Sequence, residues 1–373
     1  MNNRERLLAV LQGRRPDRIP WIPRLELWYN AHARSGTLPA RWAGRSLREI
    51  ERGLGAGTPA LSGRIYRVEH EDVEIVTHQE GMLTITEYQT PVGTVREVRA
   101  HSDELREQGL PGVLRERVLK GPEDYAVWEW VVEHRRYVPT YEAFQGYDAD
   151  IGDDGLPLVL ADDNPFYHFL EVLVGFQHAY YHLMDYRDEV EHLLAVMTGV
   201  QRERLWSVIA NSPAQLIMNG YHLSSQLTPP YLFERYILPY YEESIPYLHE
   251  HGKWAVMHAD ADVSLILELI ERAGWDMVDC LVTAPMVPLT LAQARQAWGE
   301  RVIISGGLPA VLLQSEVSEE DFQAYVGELF RVIAPGDAFV LGVADNVMPN
   351  SLIDRVVWVS EQIERRGWYP ITP

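Results

Sequence analysis

From residue 156 to the C-terminus the chain repeats one rhythm: a short continuous apolar run, a polar break, then a span with helical spacing. The runs are LPLVLAD (156–162), QLIMNG (215–220), KWAVMH (253–258), WDMVDCLV (275–282), RVIISGG (301–307) and AFVLGV (338–343). Apolar residues in succession, rather than in alternation, fit strands buried on both faces in a parallel sheet covered by helices. The spans FLEVLVGFQHAYYHLM, EVEHLLAVMTGVQRERLWSVIA, VSLILELIERAG and EEDFQAYVGELFRVIA carry the helical pattern. Gly274 is placed as a helix stop, and Ser318, followed by Glu320 and Asp321, as a helix start.

The first 150 residues read differently. Leu7, Leu8, Val10 and Leu11 lie near a 3.6-residue period, which predicts a short amphipathic helix ended by the segment from Gly13 to Pro20. RIPWIPRLEL predicts a strand feeding a loop. From residue 64 to about 100, VEIVTHQ, MLTITEYQT and GTVREVRA alternate polar and apolar residues and break at Gly81 and at Pro91-Val92-Gly93, the pattern of an antiparallel ribbon with one wet face. Helical material is expected from Pro122 to about Phe144. Strands near Ile19–Pro23 and Val73–Thr77, added to the six later runs, make eight. Eight βα units predict an α/β fold, a TIM (β/α)8 barrel spanning residues 1–373, with an N-terminal β-ribbon insertion at 64–120. A doubly wound sheet with a separate N-terminal domain is the alternative; no Gly-x-Gly-x-x-Gly turn follows a strand to support it.

Composition narrows the chemistry. With 46% hydrophobic and 23% charged residues the chain can bury a large core. The opening MNNRERLLAVLQGRRPDRIP places charges within its only early apolar stretch, so a cytoplasmic protein is expected. The net charge of −21 disfavours nucleic acid and anionic membranes as partners. A single cysteine excludes an intramolecular disulfide and any multi-thiolate cluster, so a metal site must rest mainly on His, Asp and Glu. Neither a Gly-x-Ser-x-Gly elbow nor a Gly-Lys-Ser/Thr phosphate loop occurs.

In a barrel of this type the chemistry sits where strands end at their C-terminal side. The residues there are Arg24 and Glu26, Asp162 and Asp163, Tyr221 and His222, His258 and Asp260, Asp279 or Cys280, Gly306 and Gly307, and Asp345 and Asn346. His258 and Asp260 are two apart in an extended segment, so their side chains point the same way and can meet one ion. The competing reading is that Asp260 and Asp262 cap a helix starting near Val263; Asp262 is the better cap. Asp279 and Cys280 are adjacent, so strand alternation lets only one face the barrel interior. Asp279 is expected inward and Cys280 outward against a helix. Arg24 is a candidate carboxylate clamp. Gly306-Gly307 permits close approach of a ligand, with a tight turn as the alternative.

Several segments together resemble the uroporphyrinogen decarboxylase superfamily: RERLLAVLQGRRPDRIP, YQTPVGTVRE, PYLFERYILPYY before a strand ending in His-x-Asp, GERVIISGGLPAVLL and FVLGVADNVMP. The resemblance implies a TIM barrel with its site at the C-terminal mouth. In the true decarboxylases, arginines after the first strand hold the substrate; Arg24 matches the first, but the next falls at Trp28, and GAGTPALSG offers no clear match to the family's aspartate. In the zinc-dependent methyltransferase branch, which moves a methyl group between a corrinoid and an acceptor, the ligands lie in a His-x-Cys motif and a later Cys. Here His258 matches the histidine, Asp260 replaces the first cysteine, and Val343–Asp345 lacks the second. A third group of the superfamily is similar in its His-x-Asp and Gly-Val-Ala-Asp-Asn patterns.

The resemblance implies a methyltransferase or demethylase acting with a corrinoid, or with a corrinoid protein as partner. A divalent metal, zinc by analogy, is expected on His258, Asp260 and Asp345. His222, Asp279 and Arg24 are the expected catalytic groups, and Tyr221, Trp28, Asp162, Gly306, Gly307 and Asn346 the expected walls for a small-molecule substrate. A monomer or homodimer is expected. The alternatives are a metal-free decarboxylase (a lyase) anchored by Arg24, and a non-catalytic tetrapyrrole- or corrinoid-binding protein.

Overall fold

The computed structural model describes residues 1–107 and 112–372. Its strands, in chain order, are β1 (Trp21–Ile22), β2 (Tyr66–His70), β3 (Glu74–Glu80), β4 (Leu83–Thr90), β5 (Gly93–Ala100), β6 (Val113–Glu116), β7 (Arg135–Pro139), β8 (Leu158–Leu160), β9 (Leu216–Gly220), β10 (Trp254–His258), β11 (Met277–Leu281), β12 (Ile303–Pro309) and β13 (Phe339–Ala344). They belong to two compact units. One comprises Met1–Ile65, Tyr141–Asp162 and the chain from Pro213 onward; the other comprises Tyr66–Thr140 and Asp163–Ser212.

The larger unit is an α/β barrel of the TIM type. Seven parallel strands run in the order β1-β13-β12-β11-β10-β9-β8. The gap between the two edge strands is bridged by an irregular segment: Gly57 donates its N–H to Trp21 in β1 (2.8 Å), and Leu158 in β8 donates to the carbonyl of Ala60 (3.2 Å). Residues 57–60 therefore occupy the second stave. The strand expected near Val73–Thr77 does not take that place; it falls in β3, in the other unit. β3 is exposed at six of its seven positions and pairs antiparallel with β4, whereas a barrel stave is covered on both sides.

The six later apolar runs all form barrel strands, every residue of β9, β11, β12 and β13 being buried. Their inward positions meet at the barrel floor, where Leu158, Leu216, Met218, Val256, Met277, Ile303 and Val340 cluster. The first helix, Asn3–Leu11, adds Leu7 and Val10 to this cluster, with Asn2 and Glu5 forming its capping box. Gly274 ends the helix Leu267–Ala273 with a left-handed φ of 94°, and the Ser318 side chain caps Glu319–Ile333 by accepting from the Asp321 N–H.

In the smaller unit, β3 to β6 form an antiparallel sheet, with Ile85 opposite Val98 and both buried. Helical material was expected from Pro122 to about Phe144, with no strand inside it. Instead, a helix at Glu123–Glu133 stops at His134, β7 follows and pairs with β2, and a new helix starts at Tyr141. The β-favouring Tyr137-Val138 and the tertiary pairing override helical continuity. The FLEVLVGFQHAYYHLM span likewise divides at Gly175 (φ 90°) into a π-helical turn, Phe169–Val174, and a helix, Phe176–Asp185.

Glu51, in the helix Leu47–Gly53, is 2% exposed, and neither carboxyl oxygen has a hydrogen-bond partner among the described residues. Burial pushes its pKa from 4.5 up to about 8, against the opposing pull of the Thr58 side chain. A raised carboxyl pKa gives stability that is complete below the unfolded value near 4.5 and is lost as pH rises towards 8. Glu51→Gln is therefore expected to match the parent near pH 4 and to exceed it by about 3 kcal/mol at pH 7. Urea unfolding at several pH values tests this; parallel pH profiles for parent and variant would contradict it.

Candidate functional site

Strand alternation places the first polar layer directly above the apolar floor. Two residues beyond Val256, Met277 and Ile303 come His258, Asp279 and Ser305 on the same inward face. His258 and Asp279 are register partners in β10 and β11. Asp279 is deeply buried and collects donors: Ser305 Oγ at 2.9 Å, Arg24 Nη1 at 3.0 Å and His258 Nδ1 at 3.4 Å. Burial alone would raise its pKa, but the His258 hydrogen bond and the Arg24 charge, helped by Ser305, hold it well below the usual carboxylate range.

With Nδ1 turned to Asp279, His258 presents Nε2 to the barrel mouth, an orientation fixed by the carboxylate behind it. Asp260 Oδ2 lies 3.7 Å and Asp345 Oδ1 3.8 Å from that nitrogen. His222 Nδ1 meets the same Asp260 oxygen at 2.7 Å, and its ring stands edge-on to His258 with centroids 5.3 Å apart. The pKa of Asp260 is lowered: burial pushes up, and the hydrogen bond and charge of His222, with the charge of His258, push down harder.

Arg24 follows β1 and is nearly enclosed. Its guanidinium contacts Asp279, lies 3.6 Å from Asp345 and donates to the Cys280 sulfur. Burial would lower its pKa, but these neighbours raise it. Since burial and the Asp279 charge push the Cys280 thiol well upward, that thiol is neutral, and Asp279 and Asp345 supply the balancing charge.

Cys280 corrects the expectation drawn from alternation. It was expected outward, yet its sulfur shares Arg24 with Asp279 and lies 3.7 Å from the Asp345 carbonyl. The cause is its left-handed φ of 57°, within a register shift between Val278 and Leu281, which turns two successive side chains to one side. Arg24 (φ 55°) and His222 (φ 49°) are left-handed too. Half of the six non-glycine residues with positive φ among those described thus lie in this one cluster. Such strain persists where surrounding contacts enforce it, and it concentrates at functional sites.

The remaining candidates take other places. Asn346 donates to Asp345 Oδ2 at 2.6 Å and so orients it. The Tyr221 hydroxyl lies 2.8 Å from the carbonyls of both Ala161, just beyond β8, and Met218 in β9, and shares its one proton between them. Trp28 is 2% exposed and packs edge-on against Trp42, in the aromatic core of the unit. Gly306 and Gly307 have φ of 138° and 93°, and a Cβ on Gly307 would come within 2.7 Å of the Phe339 ring. Close packing explains that glycine without a ligand. Asp162 is half-buried just beyond β8. Asp262, expected as a helix cap, accepts from the Ser264 N–H in a turn, because the helix begins only at Leu267. Ser305 is a member absent from the strand-end candidates, and Cys280 is one that alternation had turned outward. Ser305 was visible as the residue two beyond Ile303, whereas no sequence signal marks the inversion at Cys280.

Two groups of donors lie close enough to share an ion, each set within 4.8 Å: His222, His258 and Asp260, or His258, Asp279 and Cys280. The second is already occupied by Arg24, whose cation repels another, and its thiol is protonated. The first opens to the mouth, and Asp345 Oδ1 beside it is buried with no hydrogen-bond partner. Imidazole and carboxylate donors together with an orphaned oxygen fit a divalent ion of borderline character.

The uroporphyrinogen decarboxylase (URO-D) family model matches residues 112–366, more than half of the chain. The chain belongs to the uroporphyrinogen decarboxylase family. Among solved structures, it is similar to a methyltransferase from Methanosarcina mazei, with 13% identity and a TM-score of 0.51 over 98% of this chain and 99% of that one. A protein described as a vitamin-B12 independent methionine synthase, from Listeria monocytogenes, aligns at 12% identity and a TM-score of 0.36, covering 94% and 96% of the two chains. No curated protein matches the chain. The barrel fold is thus the fold of the family, and members of this family are enzymes.

Arg24→Ala is expected to destabilise the fold by about 3–5 kcal/mol, since it strands the Asp279 charge in the interior. Adding Asp279→Asn should recover a large part of that loss. Denaturant unfolding of the two single variants and the double variant gives the coupling; strictly additive losses would contradict the pairing.

Proposed function

We propose that the chain is a metal-dependent enzyme of methyl transfer, a methyltransferase or demethylase, that works at the barrel mouth with a corrinoid or corrinoid protein as the other party. The observation that carries the metal is the convergence of His222, His258 and Asp260, with an Asp345 oxygen beside them that accepts no hydrogen bond. Methyl transfer is supported by the family and by the fold shared with the Methanosarcina mazei methyltransferase.

In this reading His222, His258 and Asp260 hold a divalent ion, zinc by donor type, and Asp345 offers a further oxygen. When bound, the ion supplies a Lewis acid that polarises the acceptor. The chain does the rest. Asp279 fixes the tautomer of His258, Arg24 holds Asp279 and Asp345 in place, and Asn346 sets the rotation of Asp345. Asp162 stands near the mouth as a substrate wall. No helix among the described residues is long and apolar enough to cross a membrane, and a cytoplasmic location belongs to the same proposal.

The decarboxylase alternative needs Arg24 as a substrate anchor. Its charge is already matched by Asp279 and Asp345, so an incoming carboxylate would have to displace one of them. A donor set without thiolates also sets this site apart from a thiol-activating zinc centre, which favours a harder acceptor.

Metal analysis of chelator-free protein tests the proposal. About one divalent ion per chain is expected, falling at least tenfold in His258→Ala and in Asp260→Ala while far-UV circular dichroism stays unchanged. Full occupancy in both variants, or none in the parent after incubation with zinc, would contradict it.

A further inference from the structure

The smaller unit contains a cleft of about 450 Å³ that the barrel site does not involve. Its wall is formed by β6 and the residues after it, including Arg115, Arg117 and Lys120, and by the start of the helix Phe176–Asp185, with Gly175, Phe176 and His178. Three cations against one acid line it, in a protein of net charge −21.

The acid, Glu116, is already held by Arg96 at 2.9 Å and by Lys120 at 3.2 Å, and these contacts lower its pKa. Arg117 is different. Its guanidinium donates to the carbonyls of Glu171 and Val172, neutral acceptors that fix its position without balancing its charge. Neither Arg117 nor Arg115 has a carboxylate within ion-pair distance among the described residues. Burial pulls the Arg117 pKa down, and the more distant charge of Glu171 offsets this only in part.

The cleft is also built so that this guanidinium stays open to it. Gly175 has a φ of 90°, and a Cβ there would come within 2.5 Å of Arg117 Nε. Glycine thus serves twice, allowing the left-handed turn and leaving room for the arginine. The first N–H groups of the following helix add positive potential on the same wall. Phe176, Leu119 and Val174 give an apolar side, and the volume suits a molecule of metabolite size.

We propose that this cleft binds a small organic oxyanion, a molecule bearing phosphate or several carboxylates, held by Arg115, Arg117 and Lys120. The site shares no residue with the metal-centred one and does not depend on the reaction assigned there.

Isothermal titration of the full chain with inorganic pyrophosphate and with citrate tests the proposal and separates the two chemistries. Saturable one-to-one binding of at least one anion is expected, weakening with added salt. Arg115→Ala with Lys120→Ala, both exposed positions, should raise Kd at least tenfold without changing the unfolding midpoint. Binding in His258→Ala should remain as in the parent. No binding of either anion at low salt, affinity unchanged in the double variant, or affinity lost in His258→Ala would each overturn it.

Discussion

The site depends on one buried contact, the pairing of Arg24 with Asp279 at the centre of the barrel. An ionised carboxylate this deep is tolerated only when paired and hydrogen-bonded. Asp279 meets that condition with Arg24, Ser305 and His258 from three other strands or strand ends. The same contact therefore ties β1, β10, β11 and β12 together, and it decides which nitrogen of His258 faces the mouth. Orientation of the imidazole is a consequence of neutralising a charge.

Above and below this contact the barrel divides by layer. The floor is apolar and closed by the first helix; two residues further along β10, β11 and β12 the inward positions turn polar, to His258, Asp279 and Ser305. A one-residue slip would exchange these positions with outward ones, so the register that builds the core also builds the site. The left-handed residues Arg24, His222 and Cys280 sit where strands give way to loops or shift register. They aim side chains that regular strands would have sent elsewhere.

Much of this was legible in the sequence because burial leaves a plain mark. Continuous apolar runs located six barrel strands, and the polar residues just beyond them included His258, Asp260, Asp279 and Asp345. The second stave was illegible because Gly57–Ala60 bridges its neighbours without regular strand structure, so the exposed alternation near Val73–Thr77 offered a false substitute. Cys280 was misplaced for a related reason: alternation presumes extended φ, and its backbone is left-handed. Trp28 sat beside a motif in the chain but belongs to the core in space.

This member of the uroporphyrinogen decarboxylase family has the family's barrel, and His258 at the end of the fifth stave lies among nitrogen and oxygen donors. In the proposed centre His222, His258 and Asp260 form one ion site, while Arg24 keeps the neighbouring Asp279–Cys280 set free of metal. Anomalous diffraction from crystals grown with zinc tests this most directly. A single strong peak is expected at the mouth, bonded to His258 Nε2 and Asp260. A peak on Asp279 and Cys280, with Arg24 displaced, or no peak near His258 at all, would contradict it.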